Sequence, residues 1–97
     1  MITTKQRAYL RSLSHDLDAI FQVGKGGIND NMIKQVSEAL EARELVKVSV
    51  LRGAPVDAYE ACNQVAAAAG AEIVSTVGSK FVLYRESKSK KQIYLHD

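Results

Sequence analysis

The eight residues Leu45-Val-Lys-Val-Ser-Val-Leu-Arg52 alternate at period two: Val46, Val48 and Val50 face one way, Lys47 and Ser49 the other. This is the pattern of a β-strand with one apolar and one polar face. The flanking segments have helical spacing instead. Upstream, a helix is expected over 30–43, with Ile33, Val36 and Leu40 as its buried stripe and Asn29, Asp30 or Asn31 as its cap. Downstream, Gly53-Ala-Pro55 breaks the chain. A helix over 57–69 then turns Ala58, Cys62, Val65 and Ala69 inward and stops at Gly70. The ends extend this alternation. Residues 4–15 read as a helix capped by Thr3 or Thr4, with Leu10, Leu13 and Leu17 on one side and Arg7 and Arg11 pointing away. Ala19-Ile-Phe-Gln-Val23 reads as a short strand. Residues 72–77 and 80–85 read as two strands joined by Gly78-Ser79, with glycine where a type II′ turn needs it. The order αβαβαββ implies an α/β two-layer sandwich with a four-stranded mixed sheet. One domain is expected over 1–86, followed by a basic, flexible tail over 87–97.

Composition excludes several classes. No apolar run approaches the roughly 20 residues of a membrane span. The segment Met1-Ile-Thr-Thr-Lys-Gln-Arg7 lacks the apolar core of a signal peptide, so a cytoplasmic protein is expected. Cys62 is the only cysteine, which removes disulfide frameworks and cysteine zinc sites. The two histidines, His15 and His96, lie at opposite ends of the chain and offer little to a metal centre or a His-based triad. Net charge is only +2, but residues 53–79 contain three acids and no Lys or Arg, so the cations concentrate elsewhere.

The sharpest local feature is Gly24-Lys-Gly-Gly27, a GxxG that joins a strand to a helix. Glycines permit close backbone approach, and the N–H groups of such a loop and of the helix start can receive phosphate oxygens. It is neither a Walker loop nor a dinucleotide fingerprint. It reads either as a clamp for nucleic-acid backbone, as in KH-type loops, or as a plain strand-to-helix turn. Topology bears on the choice. Two strands joined through a helix should be parallel, which puts Lys25 and Arg52 at one edge of the sheet. A short turn after the first helix would bring Lys5 and Arg7 back to that edge. A parallel third strand would bring Lys80 there too, with the acidic third helix elsewhere.

Other residues carry less. Cys62 fits a helix core stripe. His15 fits a helix C-terminus. Tyr9, Tyr59, Tyr84 and Phe81 read as core or half-buried. Glu38, Glu41 and Glu44 read as a solvated helix face. No acid/base pair or activated nucleophile supports an enzyme, so no catalytic residue, cofactor or metal is expected.

Four ordered blocks carry a family resemblance: Lys5-Gln-Arg-Ala-Tyr-Leu-Arg-Ser-Leu-Ser-His15, Gln22-Val-Gly-Lys-Gly-Gly-Ile28, Glu44-Leu-Val-Lys-Val48 and Val77-Gly-Ser-Lys-Phe-Val-Leu-Tyr-Arg85. Over residues 2–86 the chain resembles the bacterial YhbY-like proteins, stand-alone CRM (chloroplast RNA splicing and ribosome maturation) domains. Ser14 departs from the alanine more often found there. The resemblance implies a fold similar to the C-terminal domain of bacterial initiation factor three, RNA binding, and association with precursors of the large ribosomal subunit. The expected partner is rRNA, and the expected state is a monomer. The candidate RNA-contacting residues are Gly24, Lys25, Gly26 and Gly27 with Lys5, Arg7, Arg11, Lys34, Arg52 and Lys80. Two alternatives remain: a protein-binding adaptor using the exposed sheet face or the tail, and an enzyme acting on a phosphorylated small molecule at the glycine loop.

Overall fold

The computed structural model describes residues 2–95. Its elements follow the expected order: α1 (Thr4–Ser14), β1 (Phe21–Val23), α2 (Asp30–Arg43), β2 (Leu45–Val50), α3 (Ala58–Ala69), β3 (Glu72–Val77) and β4 (Lys80–Tyr84). Each helix has a side-chain cap. Thr3 and Gln6 form a reciprocal capping box at α1. The Asn29 side chain accepts the Met32 N–H at 2.9 Å, and Asp57 accepts the Glu60 N–H at 2.8 Å. The four strands form one mixed sheet in the order β1-β2-β4-β3. β1 pairs parallel with β2, and β4 pairs antiparallel with both β2 and β3, so β1, β2 and β3 run in one direction.

Period-two alternation sends the two faces of the sheet to different partners. Val46, Val48, Val50, Phe81 and Leu83 pack against Val36 and Leu40 of α2 and Ala61, Cys62 and Val65 of α3. Full burial of Phe81 contributes on the order of 2–3 kcal/mol. Burial also pushes the Cys62 thiol up, as expected of an inert core residue. Leu45, Val74, Val82 and Tyr84 face the other way and pack against Ile2 and Leu10, with Leu13 and Leu17 alongside. The two-layer sandwich formed by the sheet with α2 and α3 therefore gains a partial third layer, α1, on the opposite face.

That position corrects the expected course of α1. The Ile2 N–H donates to Glu72 at 3.1 Å, and Arg7 Nε donates to the Ile73 carbonyl at 3.0 Å. Both acceptors lie at the start of β3, beside the end of β4. β3 carries an extra residue at Val74, since Ile73 pairs with Leu83 and Ser75 with Val82. Arg7 therefore folds onto the sheet edge next to this bulge instead of pointing away. The connection from α1 to β1 is not a tight reversal. It runs sideways over the sheet, Leu17 packing beneath it and the Ile20 N–H bonding to the Lys47 carbonyl at 3.1 Å.

Two further expectations are revised. Tyr84 and Phe81 are buried, but Tyr9 and Tyr59 are exposed. Glu41 and Glu44 do not form a solvated face; they hold the segment after β4. Glu44 is fully buried and accepts backbone N–H groups from Ser87 (2.7 Å), Gln92 (2.7 Å) and Ile93 (2.6 Å). Glu41 accepts the Ser87 and Ser89 hydroxyls, both at 2.8 Å, and the Ser89 N–H at 3.0 Å. Residues 87–95 are thus docked where a loose tail was expected, and Ile93 and Leu95 pack against the α1-side cluster. His96 and Asp97 lie outside the described residues. Arg85 locks the same region from the other side. Its guanidinium donates to the Ser37 hydroxyl (2.8 Å), the Ser37 carbonyl (2.7 Å) and the Ala69 carbonyl at the end of α3 (2.8 Å).

Candidate nucleic-acid interface

The parallel pairing of Val23 with Val50 brings the chain segments that leave β1 and β2 side by side. Each is a β-turn. In the first, the Gly27 N–H bonds to the Gly24 carbonyl at 2.9 Å, with Lys25 and Gly26 at the centre. In the second, the Ala54 N–H bonds to the Leu51 carbonyl at 3.1 Å, with Arg52 and Gly53 at the centre. Each turn therefore presents one cation from its first central position, and both side chains are exposed.

The turns interlock through their glycines. Gly53 has φ 96°, and a Cβ there would lie 3.9 Å from Cγ and Cε of Lys25, so the lysine stem lies across this glycine. Gly27 has φ 69°, and a Cβ there would meet Pro55 Cγ at 3.0 Å. The sequence marks Gly53 and Pro55 only as a chain break; their part in bracing the loop depends on the parallel pairing. Gly27→Ala should therefore lower stability by about 1–2 kcal/mol, from left-handed strain and the crowded proline ring. Urea unfolding of the variant checks this.

Gly26 differs from Gly27. Its φ is not positive, and a Cβ there would meet nothing within 4 Å. Lys25 and Gly26 are exposed, and their N–H groups find no acceptor among the described residues. The loop therefore offers open backbone donors beside two cations. α2 begins immediately after it, and exposed Lys34 lies about one turn along that helix.

The remaining predicted residues divide. Lys80 is exposed at this same end of the sheet, paired with Ser49, and the Val50 N–H bonds to the Ser79 carbonyl at 2.7 Å. Its direction is that of Val82, so it leans onto the α1 face. Arg11 is exposed near the end of α1 and lies on that face as well. Lys5 and Arg7 sit with the start of α1 at the far end of β3, about 17 Å away along the strand. They do not join the glycine-loop edge, and Arg7 is engaged with Ile73. Asp57 and Glu60 open α3 directly after the second turn, so acidic residues stand at this end too, contrary to the expected separation. Asp57 is occupied as a cap.

Among the described residues, no cluster of three or more His, Cys, Asp or Glu side chains could hold a metal, and no helix is long and apolar enough to cross a membrane.

Known proteins resemble this chain along nearly its whole length. The chain is 54% identical over 95 residues to the probable RNA-binding protein YqeI of Bacillus subtilis, covering 98% of this chain and 99% of that one. It is 37% identical to a probable RNA-binding protein of Methanocaldococcus jannaschii, covering 94% of this chain and 69% of that one. A solution structure from Staphylococcus aureus, 52% identical, superposes with a TM-score of 0.82 over 99% of this chain and all of that one. Residues 2–85 match the model of the CRS1/YhbY (CRM) domain, and the chain belongs to that family.

Proposed function

We propose that this protein binds structured RNA at the glycine-loop edge. Gly24 to Gly27 approach the phosphate backbone, Lys25 and Arg52 neutralise it, and Lys34 and Lys80 flank the contact. The observation that carries this reading is the pair of interlocked turns. They put two exposed cations and open N–H donors on one edge, in a chain whose relatives are named as RNA-binding. Contacts of this kind act on phosphate and shape more than on base sequence. We further propose that the RNA is ribosomal, in precursors of the large subunit, and that the protein acts there as a cytoplasmic monomer without catalysis or a cofactor. The family resemblance supports this finer reading. Crosslinking in cells, followed by sequencing of the attached RNA, tests it: enrichment of messenger or transfer RNA over large-subunit rRNA would reject it.

The interface itself is tested by salt titration on one duplex–loop RNA. Lys25→Ala should weaken binding and make the slope of log K against log salt shallower by about 0.7–0.9, the share of one neutralised phosphate. Gly26→Val should weaken binding with little loss of stability, because the added side chain meets the ligand and no part of the protein. If both variants kept wild-type affinity and slope, the RNA would lie elsewhere on the molecule. The adaptor alternative loses ground here: α1 covers much of the sheet face it would need, and the described tail is docked.

A further inference from the structure

The α1 face of the sheet changes character along its length. Under the first half of α1 it is apolar, with Leu45, Tyr84 and Val74. Toward the β3–β4 hairpin the same face continues through Lys47 and Ser49 of β2, Lys80 of β4 and Ser75 of β3. Lys47 pairs with Val82, Ser49 with Lys80, and Ser75 with Val82, which sets all of these on Val82's side. α1 ends at Ser14 and leaves this part of the sheet only partly covered. The result is a cleft of about 280 Å³ lined by Arg11, Ser14, His15, Lys47, Lys80 and Ser75, with Val82 and Val77 as apolar walls.

Three basic side chains from three elements line this cleft, and no carboxylate does. The one ion pair among the described residues is Lys91–Glu86, so Arg11, Lys47 and Lys80 have no acidic partner there. Lys47 is half-buried in the middle of a strand. A half-buried ammonium without a counter-ion is costly unless an anion or water completes it. α1 presents its C-terminal end to the cleft, which carries partial negative charge. An anion here is therefore held by side chains and not by the helix dipole. The Ser75 hydroxyl adds a neutral donor, whereas Ser14 spends its proton on the Arg11 carbonyl at 2.7 Å and lines the cleft without donating to the anion.

We infer that this cleft is a second anion site that holds a backbone phosphate of the same RNA. The inference rests on the RNA-binding reading above and extends it: the nucleic acid passes from the glycine loop around the hairpin end, by way of Lys80, onto the α1 face. The protein then grips RNA from two sides of one sheet end. This suits a structured target with a bend or a strand junction better than a straight duplex.

The test uses the whole chain and two probes. The first is tripolyphosphate, an anion with no base to read, followed by backbone amide shifts. Saturable shifts at Lys47, Ser75, Lys80 and Val82 are expected, and they should vanish in Lys47→Met, which keeps the aliphatic stem. The second is the duplex–loop RNA, titrated with salt against wild type, Lys25→Ala, Lys47→Met, Arg11→Met and the Lys25→Ala/Lys47→Met double. Lys47→Met should lose about five- to tenfold in affinity and make the slope shallower by about 0.7–0.9, and the double should lose roughly twice that slope. Arg11→Met, at an exposed position, gives the same reading if Lys47→Met unfolds. If Lys25→Ala weakens binding while Lys47→Met and Arg11→Met retain wild-type affinity and slope, the cleft does not hold RNA and the inference fails alone. If wild type binds no RNA but tripolyphosphate still moves the cleft amides, the RNA reading fails and takes this assignment of the anion with it.

Discussion

Glu44→Gln should cost about 3 kcal/mol of stability, although it replaces one oxygen by an amide nitrogen and keeps the shape of the side chain. One carboxylate oxygen of Glu44 accepts the Ser87 N–H, and the other accepts those of Gln92 and Ile93. An amide can accept with only one end. In either orientation its NH₂ group faces a backbone N–H, the buried one of Ser87 or the partly buried ones of Gln92 and Ile93, and a donor against a donor leaves both unsatisfied. The residue is also at φ 68°, a left-handed conformation that glycine usually supplies at the end of a helix. Glu44→Gly would relieve that strain but release all three N–H groups, so it should destabilise as well. The acid dependence follows from the same contacts. Desolvation alone would raise the pKa of Glu44, but the N–H donors of Ser87, Gln92 and Ile93, helped by Lys91, outweigh it and hold the pKa below 4.5. Hydrogen bonds from Ser89 and Ser87, then the Lys88 N–H, lower Glu41 to about 2. Both folded pKa values lie below those of the unfolded chain. The unfolded state therefore binds more protons between about pH 4.5 and 2, and stability falls with pH through that window. Urea midpoints from pH 7 to 3 should drop steeply for wild type and less for Glu44→Gln. A variant within 0.5 kcal/mol of wild type at pH 7 would show that the tail is not held by this carboxylate.

The same glutamates show where sequence reasoning reached its limit. Glu38, Glu41 and Glu44 recur every three residues off an apolar stripe, which is what a solvated helix face looks like. Glu38 is indeed exposed, but Glu41 and Glu44 are covered by a segment more than 40 residues later, and no local pattern carries that information. Val46, Val48 and Val50 were legible because alternation is local, and the parallel pairing of β1 with β2 was legible because a helix crossover leaves few topologies. α1 had no such constraint. It is joined to the sheet at one end only, so its direction rests on six connecting residues and on where Leu10, Leu13 and Leu17 find apolar cover. They find it under Leu45, Val82 and Tyr84, and that choice carries Lys5 and Arg7 to the wrong end for a shared patch while bringing Arg11 toward Lys80. Of the candidate site, the loop and its two turn cations follow from local glycine chemistry plus strand order. The brace between Gly27 and Pro55 is visible only once the turns are side by side.

Lys25→Glu/Arg52→Glu should lower RNA affinity by about a hundredfold near 0.1 M salt. Two attractions of about 1 kcal/mol each are lost, and repulsions of similar size partly replace them. The salt slope should become shallower by about 1.4–1.8, since two phosphates are no longer neutralised. Stability should change little: both side chains are exposed, and Lys25 touches Gly53 only through its methylene stem, which glutamate partly retains. The decisive comparison is a charge-matched variant at the other end of the molecule. Lys5→Glu/Lys90→Glu removes the same four units from a net charge of +2 at exposed positions away from the loop. Long-range repulsion alone acts on both doubles alike and fades beyond the Debye length of about 8 Å at physiological salt. A local clamp acts only on the first. The loop double should therefore lose far more affinity than the distal double at low salt, and the gap should narrow as salt rises, because only the loop double has lost the counterion-release share of binding. Equal losses in the two would mean that the protein attracts RNA by its overall charge and that the interlocked turns are only a scaffold.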